Sequence, residues 1–339
     1  MMLAFNMSLT YFLLNNFTPW RDAYECPRNP LGSSWEPPPH FSLSVYFTVS
    51  GSIQTIFYAI ISATIFSRLI KYRTARNQLM FLLSLLDIAQ IYVNSFITGL
   101  LGLRGVSFCD YPTTVFLSGA IGNGAWMMSC PVTILFGLER VVEVRNSRLD
   151  VLFEGRRFVV IQTLLALWGV YCFFIANPAV FLAKYNAWVF DPMIGRDPAL
   201  YRNYLHTVVN CGVSFSMILL GGILWRSLRE SKYATSPWLY KNNPQIVTQC
   251  LWMSISHAAT GLLYEIMQFV QVPELFVVGQ IAWQWTSASM PFVYLFFNRT
   301  IRREFIEIYM PIRLRQKLGI PLYPEEHQKI FSMRSSIQM

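Results

Sequence analysis

Two carboxylates lie in long stretches that otherwise carry no charge: Asp87, near the middle of one, and Glu265, at the end of another. An ionisable group held in an apolar setting costs roughly 2.5–3.5 kcal/mol on insertion scales, so it needs polar partners and a reason to be there. For Asp87 the expected partners are Ser129 and Ser289. The residue then serves either as a hydrogen-bonded packing group or as a polar switch whose partners change when helices shift. Glu139-Arg140 offers a second kind of chemistry, an ion pair that holds neighbouring helices together and releases when they part. An arginine at such a border also snorkels for purely interfacial reasons. Pro291-Phe292-Val293-Tyr294 places a proline one turn before a tyrosine, a natural hinge. A third set combines polar and aromatic groups: Asn123, Trp126, Asn210, Tyr264, Glu265, Gln268, Gln280, Trp283 and Gln284. A mostly apolar hollow with a few convergent polar groups is what a small-molecule site requires, although Trp and Tyr also form interfacial belts.

Catalysis finds little support. The chain has no His-Glu-x-x-His pair, no Gly-x-Ser-x-Gly elbow and no phosphate-cradling Gly-rich loop. His206 and His257 stand apart, so no metal or cofactor is expected, and no lysine falls inside an uncharged stretch where it could form a Schiff base. An enzyme is not expected.

The elements that must position these residues are seven uncharged stretches, at about 41–67, 77–103 (broken only by Asp87), 111–138, 158–183, 205–225, 242–264 and 275–298. Each reaches the ~20 residues that a helix rising 1.5 Å per residue needs to cross a ~30 Å hydrocarbon core. The composition agrees: 54% hydrophobic and 13% charged, against about 25% charged in soluble domains. Lys and Arg are split 21 to 6 between the two sets of connections. The rich side holds, among others, Arg68, Arg76, Arg140, Arg145 and Arg226, together with the tail. The positive-inside rule then puts the N-terminus outside, the C-terminus inside and the number of crossings odd. The net charge of +9 belongs to span borders facing anionic lipid, not to a nucleic-acid surface. The fold expected is an all-α membrane protein, a seven-transmembrane helix bundle. Residues 1–40 form an outer segment, 41–298 the bundle, and 299–339 a surface helix and tail.

The outer segment begins with an apolar stretch lacking a basic leader region, which reads as exposed chain rather than a secretory signal. It carries two N-glycosylation triplets, at Asn6 and Asn16, and Pro37-Pro38-Pro39, which stiffens the approach to the first span. Asn298-Arg299-Thr300 also matches the triplet but lies on the inner side. Four cysteines fall in or beside spans as small buried hydrophobes; Cys26 and Cys109 fall outside, where disulfides persist, and are expected to pair. The loop at 181–204 is the longest outer connection and has no cysteine. Pro237 and Pro244 bound the start of the sixth helix. After Asn298 an amphipathic helix places Ile301, Phe305, Ile308 and Tyr309 on one face, with Glu304 elsewhere, and stops at Pro311.

Several segments resemble the seven-helix serpentine chemoreceptors of nematodes, class T: Tyr24-Glu25-Cys26, Phe108-Cys109-Asp110-Tyr111-Pro112, Pro291–Tyr294 and Asn298-Arg299-Thr300-Ile301-Arg302. Asp87, Glu139-Arg140, Trp168 and Pro291-x-x-Tyr294 resemble marks of the wider G-protein-coupled receptor superfamily. Departures are Met290 before Pro291, the lack of a proline after Trp252, and Pro131 inside the third span. The resemblance implies a chemosensory receptor of the plasma membrane, sensory cilium included, that binds an odorant or similar small molecule and signals through a heterotrimeric G protein. The alternative from the residues themselves is a multi-span transporter or ligand-gated channel, for which Asp87 and Glu265 are the only intramembrane acids available. A receptor of reversed orientation and a purely structural membrane protein are the remaining readings. The ligand stays open among volatile odorants, amines and peptides.

Overall fold

The computed structural model describes residues 5–26, 40–145, 147–230, 237–270 and 272–318. Pro37–Pro39 and the tail beyond 318 lie outside the described residues. Each of the seven stretches is helical: α1 (Phe41–Lys71), α2 (Ala75–Arg104), α3 (Pro112–Arg145), α4 (Gly155–Phe174), α5 (Tyr204–Glu230), α6 (Pro237–Phe269) and α7 (Pro273–Ala288). α8 (Met290–Phe297) continues α7 after a break at Ser289, and α9 (Arg299–Tyr309) and α10 (Ile312–Lys317) follow. By length and composition α1 to α5 are apolar enough to cross a membrane. α6 is diluted by Gln249, His257, Glu265 and Gln268, and the seventh stretch is divided by its own break.

Local chemistry sets several boundaries. Thr74 caps α2 by accepting from the Asn77 amide, and Asn298 caps α9 through the amides of Thr300 and Ile301. Gly105 ends α2 in the left-handed region at φ 65°, the conformation glycine takes at no steric cost. α4 stops at Phe174, short of the expected 183, because Pro178 cannot continue a helix. The chain instead forms a hairpin of β1 (Val180–Leu182) and β2 (Ala187–Val189), pairing Phe181 with Trp188. α6 starts at Pro237 and runs on through Pro244.

α3 takes the centre, touching α2, α4, α5 and α6, while α7 closes the ring on α1 and α2. Outward faces are apolar: Ile53, Leu164, Phe215 and Ile255 are each more than 60% exposed, a surface suited to hydrocarbon and not to water. Pro131 sits inside α3 and supplies no N–H to the carbonyl four residues back. That carbonyl, on Met127, receives the indole N–H of Trp168 from α4 at 3.0 Å instead. A second irregularity, a π-helical segment at Tyr92–Ile97, is satisfied by Thr98, whose hydroxyl donates to the Val93 carbonyl at 2.9 Å.

The N-terminal segment is not exposed chain. A short helix, Leu9–Leu14, docks on α3 and α4, with Met7 and Phe12 buried and Phe12 stacked on Phe116 at 4.7 Å. A disulfide joins Cys26 to Cys109 beside α3. At the same end the hairpin presses on α3 so closely that a Cβ at Gly119 would collide with the Ala179 carbonyl oxygen. We call this the disulfide end and its opposite the basic end.

Candidate functional site

A cavity of about 150 Å³ opens at the disulfide end. α3 contributes Asn123 and Trp126; the hairpin and the chain after it contribute Trp188, Phe190, Asp191, Met193, Tyr201 and Arg202. His206 comes from α5, Tyr264, Met267 and Gln268 from α6, and Phe276 and Trp283 from α7. Asn123, Trp126, Tyr264, Gln268 and Trp283 thus meet around one hollow, as their types suggest they should.

Asn210, Glu265 and Gln280 do not line it; they stand behind the wall and hold it. The Asn210 side-chain oxygen accepts from Trp126 Nε1 at 2.8 Å, while its amide donates to Glu265 Oε1 at 3.0 Å and meets His206 Nδ1 at 3.1 Å. Gln268 Nε2 donates to the other oxygen of Glu265 at 3.0 Å. The Glu265 carboxylate is therefore spent on protein groups. Gln280 donates to the Asn94 carbonyl at 2.8 Å, a group at the π-helical segment, and accepts from the Trp188 amide at 3.4 Å. Gln284 also lies away from the cavity, bonded to Ser50 and Gln54 of α1. Trp188, His206 and Tyr201 escaped the sequence reading. Trp188 falls in the stretch expected to be an outer loop, 181–204, and nothing in the pattern marked His206 or Tyr201 as facing inward.

The roof has its own electrostatics. Tyr201 hydroxyl donates to the Ala23 carbonyl, tying the loop to the N-terminal segment. Burial, with Asp191 nearby and Arg196 opposing, pushes the Tyr201 phenol up from 10.0 to about 12. Tyr24, packed against Tyr201 and Phe116, is raised by burial as well. Burial also raises the Asp191 carboxyl, against the pull of the Met193 amide that donates to it at 2.8 Å.

From the cavity wall a polar route runs inward. Trp283 Nε1 donates to Gln90 Oε1 at 2.8 Å, Ser287 donates to the same oxygen at 3.3 Å, and Gln90 Nε2 reaches Asp87 Oδ1 at 3.5 Å. Tyr58 of α1 donates to Asp87 Oδ2 at 2.5 Å. The partners expected for Asp87 are engaged elsewhere: Ser129 donates to its own helix at the Trp126 carbonyl, and Ser289 accepts from Trp252. Both hydroxyls satisfy groups closer to them, and Tyr58 takes their place.

At the basic end Glu139 pairs with Arg76 of α2 at 3.0 Å, and Glu143, one turn on, also meets Arg76. Buried Arg140 turns to Glu143 of its own helix at 2.9 Å and lies over the Phe136 ring. The ion pairs between helices therefore join α2 to α3 through Glu139 and Glu143, while Arg140 pairs within its own helix. Pro291 lies in the first turn of α8, just past the break, and Tyr294 is fully buried. Glu304 of α9 is buried, contrary to the amphipathic reading, because Lys71 and Ser67 of α1 reach it at 2.5 and 3.1 Å. Asn16 is exposed in a positive-φ turn, whereas Asn6 is half-buried beside Ser8, which caps the short helix. Among the described residues no group of three metal-ligating side chains comes together.

The chain is similar to serpentine receptor class T-55 of Caenorhabditis elegans, 24% identical over 255 residues, which is 73% of this chain and 69% of the relative. Residues 7–318 match the family described as serpentine type 7TM GPCR chemoreceptor Srt. With the helical bundle and its apolar outer faces, that match makes the chain a multi-pass membrane protein that belongs to the Srt family of serpentine seven-transmembrane chemoreceptors.

Proposed function

We propose that this chain is a chemosensory receptor of the plasma membrane, sensory cilium included, that binds a small extracellular ligand and signals through a heterotrimeric G protein. The N-terminus and the disulfide end face outside; the basic end, with α9, faces the cytosol and its G protein, in keeping with the 21-to-6 division of Lys and Arg. Asn6 and Asn16 are then on the side where glycans are added.

The observation that carries this reading is the aromatic cavity whose wall, at Trp283, is bonded to Gln90 and through it reaches Asp87. A ligand can shift the bundle only by binding its two states unequally. Groups bonded both to the cavity wall and to the bundle interior are where such a difference is felt. Asp87, Pro291 and Tyr294 serve as the moving parts, with Glu139 and Arg140 at the end that opens. The cavity is held by internally satisfied groups, which supports a binding site over the charged path that a transporter or channel needs.

Cells expressing the full chain, screened with a small-molecule panel and a second-messenger readout, test the proposal. Arg140→Ala is expected to lose the response while the amount at the cell surface is kept. An unchanged response removes Arg140 from the mechanism. A ligand-dependent current that persists without G proteins replaces the receptor reading with the channel.

A further inference from the structure

We infer that the cavity takes a neutral molecule about one ring in size, mostly hydrocarbon, with a single hydroxyl group. This deepens the reading of the cavity as a ligand site and rests on it. Three indoles form much of the wall, and each has its N–H turned away to a protein acceptor: Trp126 to Asn210, Trp188 to Thr98 and Trp283 to Gln90, at 2.7–2.8 Å. The cavity meets their carbon surfaces, extended by Phe276 and Met267.

The three indoles bring no charge to the hollow. Glu265 is screened behind Asn210 and Gln268, with both its oxygens occupied. Asp191 and Arg202 bring opposite signs to the lining, and Asp191 already receives the Met193 amide. Asp191 is half-buried and Arg202 exposed, so both keep water of their own. An ammonium or carboxylate moved in among the indoles would give up its hydration, of which the ring faces return only part to a cation. Size sets the next limit, because an apolar cavity of about 150 Å³ holds a molecule such as benzene.

Three hydrogen-bonding groups of the lining remain, one of them the Tyr264 hydroxyl, which is buried and has no partner among the described residues. Asn123 spends its amide on the Asn177 carbonyl at 2.9 Å, and its side-chain oxygen has no partner among the described residues. The Asn210 amide donates to His206 Nδ1, so the imidazole proton sits on Nε2, which also lacks a partner among the described residues. An acceptor, a donor and a phenol able to act as either, all in one lining, suit a hydroxyl, which can donate or accept.

The test uses the full chain in lipid nanodiscs, with quenching of tryptophan fluorescence and the melting temperature as readouts. The probes are 2-phenylethanol, 2-phenylethylamine (its cationic counterpart) and 2-(4-biphenylyl)ethanol. Saturable binding of 2-phenylethanol is expected, with the amine and the biphenyl at least about tenfold weaker, since one brings a buried charge and the other a second ring. Met267→Trp, which fills the hollow, is expected to abolish binding. Met267→Phe serves in its place if the larger side chain prevents a monodisperse preparation. An amine or biphenyl that binds as well as the alcohol overturns the ligand class and leaves the site standing. Binding of 2-phenylethanol that both Met267 variants leave intact overturns its placement here. No binding of any probe overturns the class, while the cell-based screen tests the site separately.

Discussion

Trp168→Phe should destabilise the bundle through a single orphaned oxygen, and Pro131→Ala should cancel most of that loss. Pro131 leaves the Met127 carbonyl without its helical donor, and the Trp168 indole fills the vacancy at 3.0 Å. Phenylalanine keeps most of the ring and removes the N–H, so the carbonyl is left unpaired between α3 and α4, where water is scarce. A buried unsatisfied group costs about 1–3 kcal/mol, and loss of the smaller ring of the indole adds a packing term of about 1 kcal/mol. In the Pro131→Ala background the backbone N–H returns to the Met127 carbonyl, and Trp168→Phe should then cost the packing term alone. The coupling energy between the two sites is therefore expected at about 1–3 kcal/mol, above the few tenths seen for independent positions. Reversible unfolding of the four proteins in lipid bicelles measures it directly. Equal losses for Trp168→Phe in the Pro131 and Pro131→Ala backgrounds would refute the reasoning.

Removing the disulfide by Cys26→Ser or Cys109→Ser opens a closure spanning 83 residues, worth up to about 4–5 kcal/mol in the chain-entropy account, so the melting temperature should fall by a similar amount in either variant and in the double variant. Additive losses would show that the two cysteines act separately. Asn16→Gln should shift the electrophoretic mobility of protein from intact cells and Asn6→Gln should not, since only Asn16 is exposed; the opposite pattern contradicts the folding of residues 5–26. The Tyr201 phenol titrates above its unfolded value of 10.0, so the stability it contributes is whole below pH 10 and is lost as pH rises toward about 12. Ultraviolet titration should show the delayed phenol, and Tyr201→Phe should remove that step; a Tyr201 that ionises at the ordinary value disproves its burial against Ala23.

Much of the bundle is legible because hydrocarbon and charge obey simple rules: long uncharged stretches and their basic borders locate the helices within a few residues. Where that logic failed, a competing local rule decided. Residues 175–183 continue the apolar run of α4, but Pro178 ends the helix and sends Phe181 and Trp188 into a hairpin, which hydrophobicity alone cannot distinguish from more span. The wall residues were found by type, since polar groups in an apolar setting must face inward. Type does not say whether a group points into a hollow or backs its wall, so Glu265 and Tyr264, adjacent in sequence, end with different roles. Arg76 as the partner of Glu139 could have been read from Glu139 and Glu143, four residues apart on one helical face, a site suited to a bridging cation.

Glu304 lies beyond the seventh span, yet it is clasped by Lys71 and Ser67 of the first. The bundle is thereby buckled, its earliest and latest helices fastened at one rim. A chain cut after Asn298 would leave α1 loose at that rim, free to fray from its neighbours. Any swing of α8 about Ser289 must likewise drag α1 along or unfasten the clasp first.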